Sequence, residues 1–388
     1  MSKLKIAFYT DRYLPLHDGV ITYIKTMRKE LERRGHEVFV ITSGGKETHN
    51  LAKKDGHLIV LNGLRFIDGE STVAFDPLIL RQVINDKKLD IIHAHNPFIL
   101  GLSARIIAGL TKVKLVSTFH TYYFHKASLN KWLSLISKFL SSNKFAVKLF
   151  KSAMIGYLKW YYKKCAYIIS PSKFAKRLLA RQGIKNVEVV ENPIEFEEKS
   201  MISKEGARRL LGIHKNDRVI LYLGRIGEEK NLKFLLRAAP ALKKNGFKII
   251  IAGTGPKLVE YRNKSLLLGL DSVSFPGFVK DSEKKYYYRA ADIFCNPSTF
   301  DTSCIAAMEA LNYNLPILVP ANSAQAEYVE KGKCGETFQV NDQQDFIAKA
   351  LKIAGNGRSY SPRTVARKFN VQIIANKLLA LYKRVLAD

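Results

Sequence analysis

KIAFYTDRYLPLHDGVITYIKTMRKELERRGHEVFVIT, residues 5–42, decides the fold class. It opens on an apolar run, Ile6 to Tyr9, that predicts a strand over 5–9. A loop containing Pro15 and Gly19 follows. Ile21, Ile24, Met27 and Leu31 then recur at the spacing of one helical face, which predicts a helix over 20–34. Gly35 is its stop signal, and Val38 to Thr42 is a second β-rich run. Strand, loop, helix, strand is the βαβ unit of a parallel sheet.

Outward from this unit, further strands are expected over 57–61, 91–94, 114–118, 167–170 and 187–190. The pattern restarts with strands over 219–223, 248–252, 273–275, 292–295 and 316–319, with helices such as 231–244 and 303–313 between them. The polar stretch 194–204 is the expected boundary. The expected architecture is α/β, with two Rossmann-like domains facing a cleft: 1–193, 194–370, and a terminal helix over 371–386 within a final segment 371–388. That helix either packs on the nearby body or crosses back to the first domain, and its spacing does not choose.

A chain of 388 residues is too long for one ordinary core, and 47% hydrophobic composition supports a fully folded body. The four cysteines have no CxxC spacing, so neither a disulfide framework nor a zinc site is indicated and a reducing compartment fits. The short apolar run at the N-terminus ends at Asp11 and reads as a first strand, not a signal peptide. No stretch reaches the roughly 20 apolar residues that span a bilayer.

The charge is unevenly placed. From Ile91 to Val187, 97 residues contain 17 Lys and Arg and no Asp or Glu, out of a formal net charge of +29. Such a field attracts a polyanion or an anionic membrane. Within it, segment 126–164 puts Trp132, Leu135, Ile136, Phe139 and Leu140 on one helical face. A second helical pattern carries Phe145, Leu149 and Tyr157 among lysines and closes with Trp160, Tyr161 and Tyr162. Aromatic and basic residues around an apolar stripe suit a membrane interface. The plain alternative is an insertion whose stripe packs on its own domain. Nucleic acid is the rival polyanion, but no nucleic-acid module motif is present.

Four constellations carry chemistry. Gly224-Arg225-Ile226-Gly227-Glu228-Glu229-Lys230-Asn231 follows a strand and opens a helix. It reads as a diphosphate clamp or as a strand-end turn with exposed basic residues. Ala252-Gly253-Thr254-Gly255 is a second glycine turn, for phosphate or for tight packing. Asn296 to Ser303 runs on to Glu309 and supplies Asp301, either a sugar-binding carboxylate or a helix N-cap. His93, His95 and His120 end two neighbouring strands. No carboxylate or cysteine completes a metal site there, and His120 reads better as a partner for a substrate hydroxyl.

In this order, the blocks resemble glycosyltransferase family 4, retaining GT-B enzymes that use nucleotide sugars. The resemblance covers nearly the whole chain. It implies that Gly19, in Asp18-Gly19-Val20, approaches the donor phosphate, and that His36 is structural. It places His120 beside the donor sugar and makes Arg225 and Lys230 the phosphate-binding pair. Glu309 matches the second glutamate of the family's paired motif, which holds the ribose. Asp301 takes the place of the first, one methylene shorter. Thr302 is similar to relatives that act on diacylglycerol lipids. Cys304 and Asn314 stand where relatives usually have glycine. The expected donor site is Gly19, His120, Arg225, Lys230, Gly253, Asp301, Ser303, Cys304 and Glu309.

The expected enzyme is therefore a hexosyltransferase acting at the cytoplasmic face of a membrane as a peripheral protein. Its expected donor is UDP-glucose, with UDP-GlcNAc and GDP-mannose as the other candidates. The expected acceptor is diacylglycerol, a glycolipid or a phospholipid. The alternatives are a soluble glycan or polyol acceptor and, in another class, an inactive interaction protein. No tightly bound cofactor is expected, and with no Asp-x-Asp element a divalent metal is not indicated. The sequence does not address oligomeric state.

Overall fold

The structure is a computed structural model. It describes residues 3–16, 18–62, 64–65, 72–73, 87–124, 144–196, 202–330, 333–356 and 359–388. These form two compact units, Met1–Pro193 with Val371–Asp388, and Ile194–Asn370.

The first unit is built from β1 (Lys5–Thr10), α1 (Gly19–Arg33), β2 (Glu37–Ser43), α2 (Lys46–Ala52), β3 (Leu58–Leu61), β4 (Leu64–Arg65), β5 (Thr72–Val73), β6 (Ile91–Ala94), α3 (Ile99–Thr111), β7 (Lys114–Thr118), α4 (Lys144–Lys163), β8 (Tyr167–Ser170), α5 (Lys173–Arg181) and β9 (Val187–Val189). Seven strands form one sheet in the order β3-β2-β1-β6-β7-β8-β9, and β4 pairs with β5 separately. Every pairing within the seven-stranded sheet is parallel. Along β1 the side chains alternate between two cores. Ile6 and Phe8 enter one and Ala7 and Tyr9 the other, so both faces are buried, as a parallel sheet requires.

Helix α1 buries Ile21, Ile24, Met27 and Leu31, the face read from its spacing, and Asp18 caps it by accepting from Ile21 N at 2.9 Å. His36 Nδ1 accepts from Leu4 N at 3.1 Å and so ties the end of α1 to the start of β1. The C-terminal helix Val371–Ala387 belongs to this unit and buries Ile374, Leu378, Leu381 and Tyr382 in the core shared with Ile24 and Met27.

The second unit repeats the plan with β10 (Arg218–Leu223), β11 (Phe247–Ala252), β12 (Val273–Gly277), β13 (Ile293–Cys295), β14 (Ile317–Pro320) and β15 (Gly335–Phe338). Its helices are α6 (Lys204–Leu210), α7 (Leu232–Lys244), α8 (Leu258–Leu267), α9 (Lys284–Ala290), α10 (Ile305–Asn312), α11 (Gln343–Asn356) and α12 (Pro362–Ala366). The order β12-β11-β10-β13-β14-β15 is again all parallel. In both sheets the chain order reverses beside the first strand, at β1/β6 and at β10/β13. In open α/β sheets such a switch point is where loops diverge and ligands bind.

The α/β class and the two parallel sheets agree with the sequence reading. Strands β4, β5 and β15 have no counterpart among the expected strands. Segment 126–164 is described only from Lys144. The expected face of Trp132, Leu135, Ile136, Phe139 and Leu140 lies outside the described residues, as do positions 197–201 of the expected boundary. Within α4 the plain alternative, packing on its own domain, holds for two of the aromatics. Tyr161 and Tyr162 do not face outward but are buried in the core with Leu158, because they pack against the sheet beside Phe119.

Asp292 is a hub at the amino-terminal side of β13. It accepts from Lys204 Nζ at 2.5 Å, Arg208 Nη2 at 2.8 Å and Val219 N at 2.7 Å. Removing it leaves the buried Arg208 guanidinium without its counter-charge. Asp292→Ala should destabilise the second unit by about 3 kcal/mol, read as a lower urea midpoint. An unchanged midpoint would contradict this role.

Candidate active site

At the β10/β13 switch point, the loops after those two strands are tied together. Lys230 Nζ donates to Asp301 Oδ1 at 2.7 Å, and both side chains are mostly buried. Ser298 Oγ donates to Glu229 O at 3.1 Å, and Asn231 Nδ2 to Pro297 O at 3.4 Å. Asn296 Nδ2 is shared between Asp301 Oδ2, 2.9 Å away, and Cys304 Sγ, 3.2 Å away. Burial pulls the Lys230 ammonium towards neutrality, but the Asp301 carboxylate outweighs it and the net shift is upward. Lys230 is thus a charged ammonium held in place by one carboxylate.

Arg225 stands apart from this pair. It is about half exposed and donates to Glu229 Oε1 at 2.5 Å. The loop does not open directly into a helix as expected. Glu228–Lys230 is a short 3-10 turn, Asn231 takes φ +54°, and α7 begins at Leu232. Lys230 is therefore placed by the turn and by Asp301 and not by a helix start.

Gly253 has φ +133°, and a Cβ there would lie 1.8 Å from Gly224 O. The bonds Gly224 N to Ala252 O (3.0 Å) and Ile226 N to Thr254 O (2.7 Å) bind the two glycine loops to each other. Gly253 therefore serves packing, because its missing Cβ lets the Arg225 loop lie against the next strand end.

Asp301 is not a helix N-cap. Helix α10 starts at Ile305, its N-cap is Cys304, and no side chain caps it. Cys304 has φ −133°, extended backbone that needs no glycine. Its thiol is buried and pushed up to about 11, chiefly by burial and then by Asp301. Ser303 Oγ lies 2.8 Å from Tyr328 Oη. Asn314 does take the left-handed backbone that glycine would favour, at φ +59°.

Glu309 makes a separate cluster. Tyr288 Oη donates to Glu309 Oε2 at 2.6 Å, and Tyr288 stacks on Tyr313. Burial lowers and the Glu309 and Asp281 carboxylates raise Lys284, with a net upward shift. Sequence reasoning missed Tyr288 and Lys284, and it gave no role to Asn296, the first residue of the Asn296 to Ser303 stretch. The spacing of Lys284 and Tyr288, one turn apart on α9, is the sole sequence signal for the first two.

The first unit has its own polar group at the strand ends. His93 Nδ1 is 2.6 Å from Tyr382 Oη, and His93 Nε2 is 2.6 Å from Thr118 Oγ1. His95 Nδ1 is 3.0 Å from His120 Nε2, and their rings stack. The three histidines do meet, and Tyr382 from the C-terminal helix joins them, a contact across 289 positions that no local pattern signals. Burial pushes His93 and His120 down to about 3 and His95 well below the ordinary imidazole value, with neighbouring imidazoles adding to the effect on His93 and His95. Gly19 is the first residue of α1, where backbone N–H groups favour an anion. Asp11 Oδ1 accepts from Leu100 N at 2.7 Å and so caps α3 from 89 positions away. Among the described residues no cluster of three or more His, Cys, Asp or Glu is arranged to hold a metal.

This geometry can be set beside known proteins. The family model "Glycosyltransferase Family 4" matches residues 17–198, and "Glycosyl transferases group 1" matches residues 203–364. An alpha-monoglucosyldiacylglycerol synthase of Streptococcus pneumoniae is 30% identical over 333 residues, covering 82% of this chain and 71% of that protein. The chain belongs to glycosyltransferase family 4. A second alpha-monoglucosyldiacylglycerol synthase, from Acholeplasma laidlawii, is 28% identical to this glycosyltransferase over 88% of the chain and 86% of that protein. The crystal structure of Anabaena HepE in complex with UDP-glucose matches with TM-score 0.74 at 16% identity, over 98% of this chain and all of that one. At that identity it speaks for the GT-B fold. Membership makes the chain a hexosyltransferase.

The three histidines generate a pH prediction. Folded, they are neutral. Unfolded, they take up protons below about 6.5. The folded pKa values are depressed, so stability is lost as pH falls from about 6.5 towards 3. The imidazole nitrogens of His93 and His120 should show no titration in an NMR series from pH 7 to 4. Amide exchange in β6 and β7 should speed up over the same window beyond its intrinsic pH dependence. A His93 midpoint near 6.5 would contradict the burial argument.

Proposed function

We propose that this glycosyltransferase moves a hexose from a nucleotide sugar to a membrane lipid, with retention of anomeric configuration. The observation that carries the reading is the 30% identity to an alpha-monoglucosyldiacylglycerol synthase over 82% of the chain. It favours UDP-glucose as donor and diacylglycerol, or a glycosylated or phosphorylated lipid, as acceptor.

The assigned roles follow from charge and hydrogen-bonding capacity. Arg225 and Lys230 take the negative charge that builds on the leaving diphosphate. Asp301 holds Lys230 and accepts from sugar hydroxyls. Glu309, oriented by Tyr288, accepts from both ribose hydroxyls. His120, neutral because it is buried, orients the sugar, and Gly19 leaves room for the donor phosphate. The bond from the anomeric carbon to the diphosphate breaks while the acceptor hydroxyl attacks on the same face. Its proton passes to the departing phosphate oxygen.

The lipid side is supported by α4. Phe145, Leu149 and Trp160 are 74%, 60% and 44% exposed, with Lys148 exposed and Lys151 and Lys159 half-buried nearby. Each lysine near an anionic leaflet contributes about 1 kcal/mol of attraction. No helix among the described residues is long and apolar enough to cross a membrane. We assign the enzyme to the cytoplasmic face, bound peripherally.

Two experiments test this reading. Arg225→Ala with Lys230→Ala should lower kcat by about a thousandfold or more, in a protein that still folds but melts somewhat lower, because Asp301 loses its buried counter-charge. A double variant turning over at near-normal rate would remove the diphosphate clamp. Replacing Lys148, Lys151 and Lys159 with Gln should weaken flotation with anionic vesicles, while wild type given UDP-glucose and a lipid extract should yield a glucosyl lipid by mass spectrometry. Unchanged flotation would remove α4 as a membrane contact, and a product found solely on soluble glycans would overturn the lipid acceptor.

A further inference from the structure

Helix α8 ends in an exposed apolar knot. Val259, Leu266, Leu267 and Leu268 are 69%, 74%, 87% and 57% exposed. Leu267 is the last helical residue and Leu268 its C-cap. Gly269 then takes φ +59°, which returns Leu270 to the core. The bonds Gly269 N to Leu266 O (3.0 Å) and Leu270 N to Ser265 O (2.9 Å) close the helix end. The leucines are therefore held outward by a formed cap. Tyr261 and Ser265 are buried on the opposite side of the helix. Val259 lies seven positions before Leu266, close to two turns, so the two share a side. Single exposed leucines are ordinary, but a contiguous run is not.

The charges around this knot are not balanced. Glu260 is matched by Lys257 at 2.5 Å and Lys233 at 3.7 Å, and Asp271 by Lys243 at 2.7 Å. Arg262 and Lys264 are exposed between Val259 and Leu266. Among the described residues neither pairs with a carboxylate, and Arg262 donates to Phe275 O at 2.9 Å. Projecting leucines beside uncompensated cations match an anionic bilayer, whose acyl boundary accepts apolar side chains while its head groups face the cations. A protein partner would need a hole shaped for each projecting leucine. A fluid lipid surface does not.

We propose that the end of α8 is a membrane foot, with Leu266, Leu267 and Leu268 inserted into an anionic lipid surface and Arg262 and Lys264 at the level of its phosphates. It rests on the lipid-acceptor reading but uses the second unit, not α4. Helix α8 connects the parallel neighbours β11 and β12, so it runs back against them. Its C-terminal end thus lies at the amino-terminal edge of the sheet. Lys230 and Asp301 lie at the carboxyl edge, so insertion leaves these donor residues in water.

The native cysteines are buried, so the full chain carrying Leu267→Cys can be labelled selectively with an environment-sensitive fluorophore. With phosphatidylglycerol/phosphatidylcholine vesicles the label should shift to the blue, brighten several-fold and be quenched by nitroxide lipids. A label that stays in water on protein that floats with the vesicles overturns the foot and leaves the lipid-acceptor reading standing. Failure to float at all overturns the foot and removes membrane contact from the proposed function. A lipid-independent response that rises with protein concentration and tracks a dimer mass overturns it in favour of a second copy. As a second arm, L266S/L267S/L268S should lower vesicle partition about tenfold, with melting and UDP-glucose binding unchanged. Unchanged partition overturns the foot.

Discussion

A parallel sheet buried on both faces leaves polar chemistry only its edges and strand ends, and most of this molecule follows from that constraint. Ile6, Phe8, Ala7 and Tyr9 fill two cores from one strand, so β1 has no face left for a ligand. The same holds for β10, where Val219 and Leu221 enter one core and Ile220 and Tyr222 the other. Reactive side chains are displaced to the carboxyl ends, and the switch points keep the loops there apart. Arg225, Lys230, Asp301, His95 and His120 all sit beyond such strand ends.

Placing them there is not the same as holding them. The loop after β10 is bound on one side by Gly253, whose missing Cβ lets it lie against the next strand end, and on the other by the Lys230–Asp301 pair. Asn296 then ties Asp301 to Cys304, so the departures from family pattern at 301 and 304 lie in one hydrogen-bonded group. Asp301 is one methylene shorter than glutamate, and the neighbouring Lys230 reaches it directly. Cys304, in extended backbone, fills its position with a neutral thiol.

Charge in this protein follows two different rules. In the loops beyond the β10 and β13 strand ends, Arg225 is paired with Glu229 and Lys230 with Asp301. On α4 no acid is available at all, and on α8 the local acids are already matched elsewhere. Paired cations hold a geometry, whereas unpaired ones beside exposed leucine, phenylalanine or tryptophan are the basis of the proposed attraction for anionic lipid.

Much of this was legible in the chain. Periodicity set the helix at Ile21 to Leu31 and most strands, because hydrophobic spacing is a local property. It failed at β15, where Gly335-Glu336-Thr337-Phe338 has no apolar run. Composition alone fixed the acid-free field, but it could not separate Phe145 and Trp160, which face out, from Tyr161 and Tyr162, which face in. The partners were invisible for the same reason. Tyr382 reaches His93 across 289 positions, Asp11 reaches Leu100 across 89, and Lys230 reaches Asp301 across 71. Sequence by itself determined which elements form and which residue types end them, since those depend on neighbours in the chain. Tertiary structure alone decided which side chains meet, because desolvation and hydrogen bonding act between groups that only folding brings into contact.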